Sequence, residues 1–184
     1  LFVVNGKPIY VNAACWDSMV IYEPERERWF IRAARFAGFN MIRVKTYFET
    51  ESFFNMCDES GLLVWQELEF DVSPENKTPL DVWRSQLKQS VLRLRQHPSI
   101  AVYCGGNEFK PYVEAAASKI GVAREIISAY SNTLFRMSSP GGGTWHAYYT
   151  PSGSFENLWT GDPNWYARYF DESVNFVAEW SYVA

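Results

Sequence analysis

Two short runs with apolar side chains on both faces of a strand constrain this chain more than anything else in it: Leu62–Trp65 and Ser99–Cys104. A strand of that kind has to be covered on both sides, as parallel strands are inside an α/β sheet. Asn40–Val44 reads as a third short strand. Between the runs lie helical patterns. Leu80, Trp83, Leu87, Val91 and Leu94 recur at intervals of three and four, which puts them on one helix face. Buried strands alternating with amphipathic helices imply a parallel sheet with helices packed against it. Two architectures satisfy that pattern, a doubly wound open sheet and a TIM (β/α)8 barrel. No glycine-rich phosphate loop follows the first strand, which weighs against a nucleotide-binding doubly wound sheet.

Local signals fill in the remaining elements. Phe2–Val4 and Ile9–Val11 flank Asn5-Gly6-Lys7-Pro8, a hairpin signal, and the second arm leads into Asn12–Cys15. Pro24 suits the first turn of a helix carrying Trp29, Phe30, Ala33, Ala34 and Ala37, with Gly38 as its stop. Thr50 is placed to cap a helix with Phe53, Phe54 and Cys57 inward, closed by Gly61. Thr78, Pro79 and Asp81 mark the start of the helix that bears Trp83. Ala123, Ile126, Ile127, Tyr130 and Leu134 give a further helical stripe, and Phe135–Ser139 a short strand. Thr144–Tyr149 and Asn175–Ala178 read as two later strands. A complete barrel takes ~250 residues, and about seven strand candidates are present, so a barrel is expected here without its last β/α unit.

Composition enters as a set of exclusions. The 184 residues carry 17 basic and 21 acidic side chains, a formal net charge of −4, which argues against a nucleic-acid partner. No apolar run approaches the ~18 residues of a membrane span, so no membrane association is expected, and no signal-peptide pattern opens the chain. Cys15, Cys57 and Cys104 are odd in number and widely spaced, which fits neither a disulfide framework nor a zinc site. Cys57 and Cys104 read as buried small apolar residues. No His, Cys and acid cluster has metal-ligand spacing, so no metal or other cofactor is expected. Phe, Tyr and Trp reach 17% of the chain, enough for an aromatic core and for an aromatic-lined sugar cleft.

The chemistry-bearing residues gather where strands end. In a barrel, that edge holds the active site. Glu108 follows the strand ending at Cys104, and Glu179 follows Asn175–Ala178. Two carboxylates at one mouth are what glycoside hydrolysis requires, one to protonate the leaving oxygen and one to attack the anomeric carbon or activate water. Gly105 and Gly106 let the backbone turn tightly before Asn107, and Asn107 is placed to hold a sugar hydroxyl beside Glu108.

The motifs His97-Pro98-Ser99-Ile100 and Gly106-Asn107-Glu108, set around an apolar strand, resemble the catalytic barrel of glycoside hydrolase family 2. Asn40-Met41-Ile42-Arg43-Val44 is similar to that family's second strand. Cys57-Asp58-Glu59-Ser60-Gly61-Leu62-Leu63-Val64-Trp65-Gln66-Glu67 resembles its third helix–strand unit, and Phe176-Val177-Ala178-Glu179 its nucleophile strand. Phe2 to Tyr10 resembles the segment entering the barrel. The likeness covers nearly the whole chain in the right order, so residues 1–184 are expected to form one partial catalytic domain of this kind. Trp65-Gln66-Glu67 and Trp145-His146-Ala147-Tyr148 look most like the β-mannosidase and exo-glucosaminidase branch.

The resemblance implies a retaining, exo-acting β-glycosidase acting on β-mannosides, β-glucosaminides or β-galactosides. By it, Glu108 is the acid/base and Glu179 the nucleophile, with Asn107 at the sugar 2-position. Arg43 would lie beneath the nucleophile and favour its ionised form, and His146 and Tyr148 would line the pocket. It further implies a carbohydrate substrate as partner, and β-sandwich domains elsewhere in the parent protein. Trp180, beside Glu179, and Trp65 are each either a sugar-stacking platform or core. Glu67 and Glu69 either contact substrate or are solvated. His97 is expected to cap helix carbonyls. Asp17 and Asp71 are loop acids with no assigned role. The alternatives are a non-catalytic sugar-binding or structural barrel fragment, and an endo-acting, cellulase-like barrel.

Overall fold

The computed structural model describes residues 2–17, 23–45, 47–68, 78–106, 114–137 and 181–182. It opens with a hairpin of β1 (Phe2–Val4) and β2 (Lys7–Ile9), paired antiparallel with Val4 opposite Lys7. Asn5 and Gly6 hold φ of 51° and 76°, the two positive values that a tight two-residue hairpin turn demands. The second arm therefore begins earlier than the Ile9–Val11 expected from apolar pattern alone.

The main body then alternates strands and helices: β3 (Ala13–Asp17), α1 (Pro24–Phe36), β4 (Met41–Lys45), α2 (Glu51–Ser60), β5 (Leu63–Glu67), α3 (Leu80–Leu94), β6 (Ile100–Cys104), α4 (Glu114–Tyr130), β7 (Leu134–Arg136) and β8 (Ser181–Tyr182). The helix ends follow their sequence signals. Pro24 lies in the first turn of α1. Thr50 Oγ1 accepts from Phe53 N at 3.2 Å, and Gly61 closes α2 in the left-handed region at φ 64°. Helix α3 begins where Thr78, Pro79 and Asp81 mark it, with Pro79 at the cap position and no side-chain cap bond. Leu134 departs from expectation. Helix α4 ends at Tyr130, a turn follows in which Thr133 N donates to Ser131 Oγ, and Leu134 opens β7.

The six strands β3 to β8 form one parallel sheet in the order β7-β6-β5-β4-β3-β8. From β3 to β7 each strand adds beside the one before it, with no reversal. A doubly wound sheet would reverse direction at a switch point. The last strand, β8, lies on the far side of β3. A sheet that grows one way and brings a late strand back beside the first follows the order of a (β/α)8 wall.

The sheet separates two apolar layers. On its outer face Ile42, Val44, Val64, Ile100 and Tyr103 pack with Ile31, Phe53, Phe54, Leu87, Val91 and Ile127 from the four helices. On its inner face Ala13, Met41, Trp65, Val102 and Cys104 form a second cluster. Helix α1 packs on α2, and α3 on α4. Cys15, Cys57 and Cys104 are all buried.

Candidate active site

Strand alternation decides which side chains reach the inner face. Met41 and Trp65 belong to the inner cluster, so Arg43 and Glu67, each two residues further along its strand, share that face nearer the C-terminal edge. Arg43 lies in register with Cys15 and Trp65, and Glu67 with Cys104, which in turn pairs with Arg136. Arg43 Nε donates to Glu67 Oε1 at 2.7 Å, and Nη2 donates to the same oxygen. Arg43 is 3% exposed and Glu67 0%. Burial alone would pull the guanidinium pKa down. The Glu67 charge and hydrogen bond outweigh it, and the net direction is upward. Burial, and then the Glu67 charge, push the neighbouring Cys104 thiol up to about 12. Cys104 therefore remains a neutral thiol, donating to Gly106 O at 3.5 Å.

The same edge sets the exit of β6. Leu68 N donates to Cys104 O at 2.7 Å, and Gly105 N donates to Arg136 O at 2.8 Å. A Cβ on Gly105 would meet Met137 O at 2.3 Å and Ile120 Cδ1 at 2.4 Å. Real side chains do not approach backbone so closely, so glycine is needed where β6 passes β7. The sequence runs on from there through Gly106 into Asn107 and Glu108.

A third feature of this edge is the loop from β4 to α2. Gln66, fully buried, donates through Nε2 to Tyr47 O at 2.6 Å. Glu49 accepts from Trp16 Nε1 at 3.0 Å, and its carbonyl accepts from Arg93 Nη2 at 3.2 Å. Phe48 packs against the outer-face core. The sequence reading missed Gln66, Trp16, Glu49 and Tyr47. Only Gln66, a polar residue at the end of a buried strand, carried a signal, since a buried amide needs a partner.

Of the residues expected at the site, Arg43 and Glu67 are brought together. Glu67 is not solvated; it ends its strand as expected, as the last residue of β5, and is sealed against Arg43. Trp65 is 3% exposed within the inner cluster. Asn107, Glu108, His146, Tyr148, Glu179 and Trp180 lie outside the described residues, as do Glu69 and Asp71. Asp17 ends β3. His97 differs from expectation. Its side chain bonds acids rather than helix carbonyls, with Nδ1 2.7 Å from Asp58 Oδ2 and Nε2 2.9 Å from Glu51 Oε1. Two carboxylates within reach of one ring outcompete backbone carbonyls. Among the described residues no three His, Cys, Asp or Glu side chains gather as metal ligands.

A singly wound parallel sheet with polar groups collected at its C-terminal edge defines a (β/α)8-type domain. No family model matches the chain. It is similar to β-mannosidase B of Emericella nidulans, 36% identical over 115 residues, which are 58% of this chain and 14% of that protein. The chain thus spans a small part of the length of its curated relatives. A crystal structure of a β-D-mannosidase from Dictyoglomus thermophilum superposes with a TM-score of 0.66 at 26% identity, covering 75% of this chain and 20% of that one. A GH2 β-galacturonidase from Eisenbergiella tayi shares the fold, with a TM-score of 0.61 at 21% identity, covering 74% and 26%. These likenesses support a glycoside hydrolase family 2 domain of the β-mannosidase branch.

Proposed function

We propose that the intact protein carrying this chain is a retaining, exo-acting β-glycosidase whose first-choice substrates are β-mannosides, with residues 1–184 contributing one partial catalytic domain. The observation that carries this reading is the sealed Arg43–Glu67 pair on the inner face of the sheet, at the strand ends from which Gly105-Gly106-Asn107-Glu108 emerges. The identity to β-mannosidases supports it.

In this mechanism Glu108 donates its proton to the glycosidic oxygen as the bond to the anomeric carbon breaks, and Glu179 attacks that carbon to form a glycosyl ester. Glu108, now a carboxylate, takes a proton from water, and the water oxygen displaces Glu179 and regenerates both acids. Retention requires the two carboxyl groups ~5–5.5 Å apart. Asn107 holds the sugar 2-position. Arg43 lends positive charge to the pocket floor, which favours an ionised nucleophile. His146, Tyr148 and Trp180 complete the glycone pocket, and the parent protein supplies further β-sandwich domains.

A 2-fluoro-β-mannosyl fluoride, which forms the ester quickly and loses it slowly, tests the assignment on the intact protein. Peptide mapping is expected to place the label on Glu179, with Glu108→Gln retaining turnover only for substrates with highly activated leaving groups. Label on another residue overturns the nucleophile assignment. Absence of both labelling and hydrolysis of aryl β-mannosides, β-glucosaminides and β-galactosides would favour a non-catalytic sugar-binding role.

A further inference from the structure

We infer that the hollow between α1 and α2 is a second saccharide-binding site, on the outer side of the sheet and separate from the inner-face pair. It measures about 200 Å3 and is lined by Arg28, Ile31 and Arg32 of α1 and by Met56, Glu59 and Ser60 of α2. That is below the ~300–1,000 Å3 of drug-sized sites and suits a single ring. Arg28 and Arg32 stand one helical turn apart on one face of α1. Ile31 and Met56 are buried and form the apolar floor.

The charges around this hollow do not close on one another. Among the described residues Arg28, Arg32 and Glu59 make no ion pair and no side-chain hydrogen bond. Another pair of packed helices shows the alternative. Between α3 and α4, Arg84 bonds both oxygens of Glu125, at 2.7 and 2.9 Å, although both side chains are well exposed. Exposure alone therefore does not keep opposite charges apart across a helix pair here. The two walls also differ in what they offer. Guanidiniums only donate, and the Glu59 carboxylate only accepts. Ser60 Oγ donates to Cys57 O at 3.2 Å, which leaves its lone pairs as acceptors. A simple anion on the arginines would meet Glu59, and a simple cation on Glu59 would meet two guanidiniums. An apolar ligand would dehydrate all three charges without return. A sugar hydroxyl both gives and accepts, so a pyranose can bond both walls while one of its C–H faces rests on Ile31 and Met56. A second hold on a glycan raises the effective concentration of its chain ends around the molecule.

The test follows modification of arginines by phenylglyoxal on the intact protein, read by peptide mapping, with β-1,4-mannobiose as the probe. Arg95, exposed at the end of α3, is the internal control. With about 10 mM mannobiose present, Arg28 and Arg32 are expected to react about threefold more slowly, the protection that millimolar affinity gives, while Arg95 is unchanged. Glu59→Ala removes the accepting wall at an exposed position and leaves both arginines in place. It is expected to abolish the protection while Arg28 and Arg32 still react. Slowing of all three arginines alike, no slowing at all, or protection that survives Glu59→Ala overturns the inference. Protection by inorganic phosphate in place of mannobiose also overturns it, since the hollow would then be an anion site. So does failure of Arg28 and Arg32 to react without sugar, which would mean that the hollow is covered in the intact protein. None of these readouts uses turnover, so the inference stands or falls apart from the glycosidase reading.

Discussion

At the N-terminal edge of the sheet Asp58 accepts Ser99 N at 3.0 Å through one oxygen and faces His97 Nδ1 through the other, while His97 reaches Glu51 with its second nitrogen. At the C-terminal edge Arg43 and Glu67 form an equally direct contact. The settings differ. Glu51 is mostly exposed, and the whole N-terminal cluster ties helix α2 to the entry of β6 on the outer side of the sheet. The C-terminal pair is almost wholly sealed on the inner face, where apolar residues would serve stability as well or better, because dehydrating two charges consumes most of what their attraction returns. Polar groups that join elements at one edge, and charges kept in an expensive place at the other, are the division expected when the first edge maintains the fold and the second serves chemistry.

The sharpest way to break that division is to remove Arg43. Arg43→Met leaves Glu67 charged and sealed with its cation gone, so urea unfolding is expected to register a loss of about 3–5 kcal/mol. Turnover by the intact protein is expected to fall at least about a hundredfold, the scale for deleting a preorganised charge in a site. The decisive variant is the double change Arg43→Met with Glu67→Leu. It abolishes the buried charge altogether, so most of the stability returns while turnover does not. Were turnover restored together with stability, the pair would be a structural tie and the two edges would be alike.

Asp58→Ala probes the other side of the comparison. It removes the acceptor for Ser99 N and one partner of His97, leaving polar groups short of partners near the entry of β6. The expected cost is about 1–3 kcal/mol in chemical denaturation. With assays run well below the unfolding midpoint, kcat/KM is expected to match the wild type. A large fall in kcat/KM in a folded Asp58→Ala protein would mean that the N-terminal edge also controls the chemistry.

What the sequence disclosed, and what it hid, follow the same physical line. Strands buried on both faces and helices with one apolar stripe announce themselves, and so do Thr50 and Gly61, whose local chemistry suffices to start and stop α2. The hairpin start was misplaced because turn geometry, not hydrophobicity, sets its register. Leu134 was assigned to a helix because one apolar residue at helical spacing looks alike on either side of a helix end. The partners of His97 and of Glu67 were hidden for a different reason. Each lies 24 to 46 residues away in sequence, and only the parallel packing of successive units brings them together. Arg43 is a site candidate through family likeness, and Glu67 through its place at the end of a strand. That they bond one another follows from strand alternation and the β4–β5 pairing, which periodicity alone does not deliver.

The smallest effect expected concerns a buried acid that belongs to neither edge. Glu27 on α1 is 3% exposed, and among the described residues its Oε2 has no hydrogen-bond partner. Burial, and then the nearby Glu49 charge, raise its pKa above the ordinary 4.5. The native state therefore holds the Glu27 proton more tightly than the unfolded chain does. Its favourable contribution is complete below pH 4.5 and is lost as pH rises through the raised value. Glu27→Gln keeps the shape and a polar end but never ionises. The variant is expected to be more stable than wild type at pH 7, by less than about 1 kcal/mol, with the gain vanishing near pH 4. The check is a pair of urea titrations at the two pH values. A gain of the same size at both would place its origin in packing rather than charge, and a loss at pH 7 would mean that the ionised carboxylate is stabilised by a cation. In that case Glu27 would join Glu67 as an acid the fold keeps charged, and burial by itself would no longer separate the inner-face pair from the rest of the molecule.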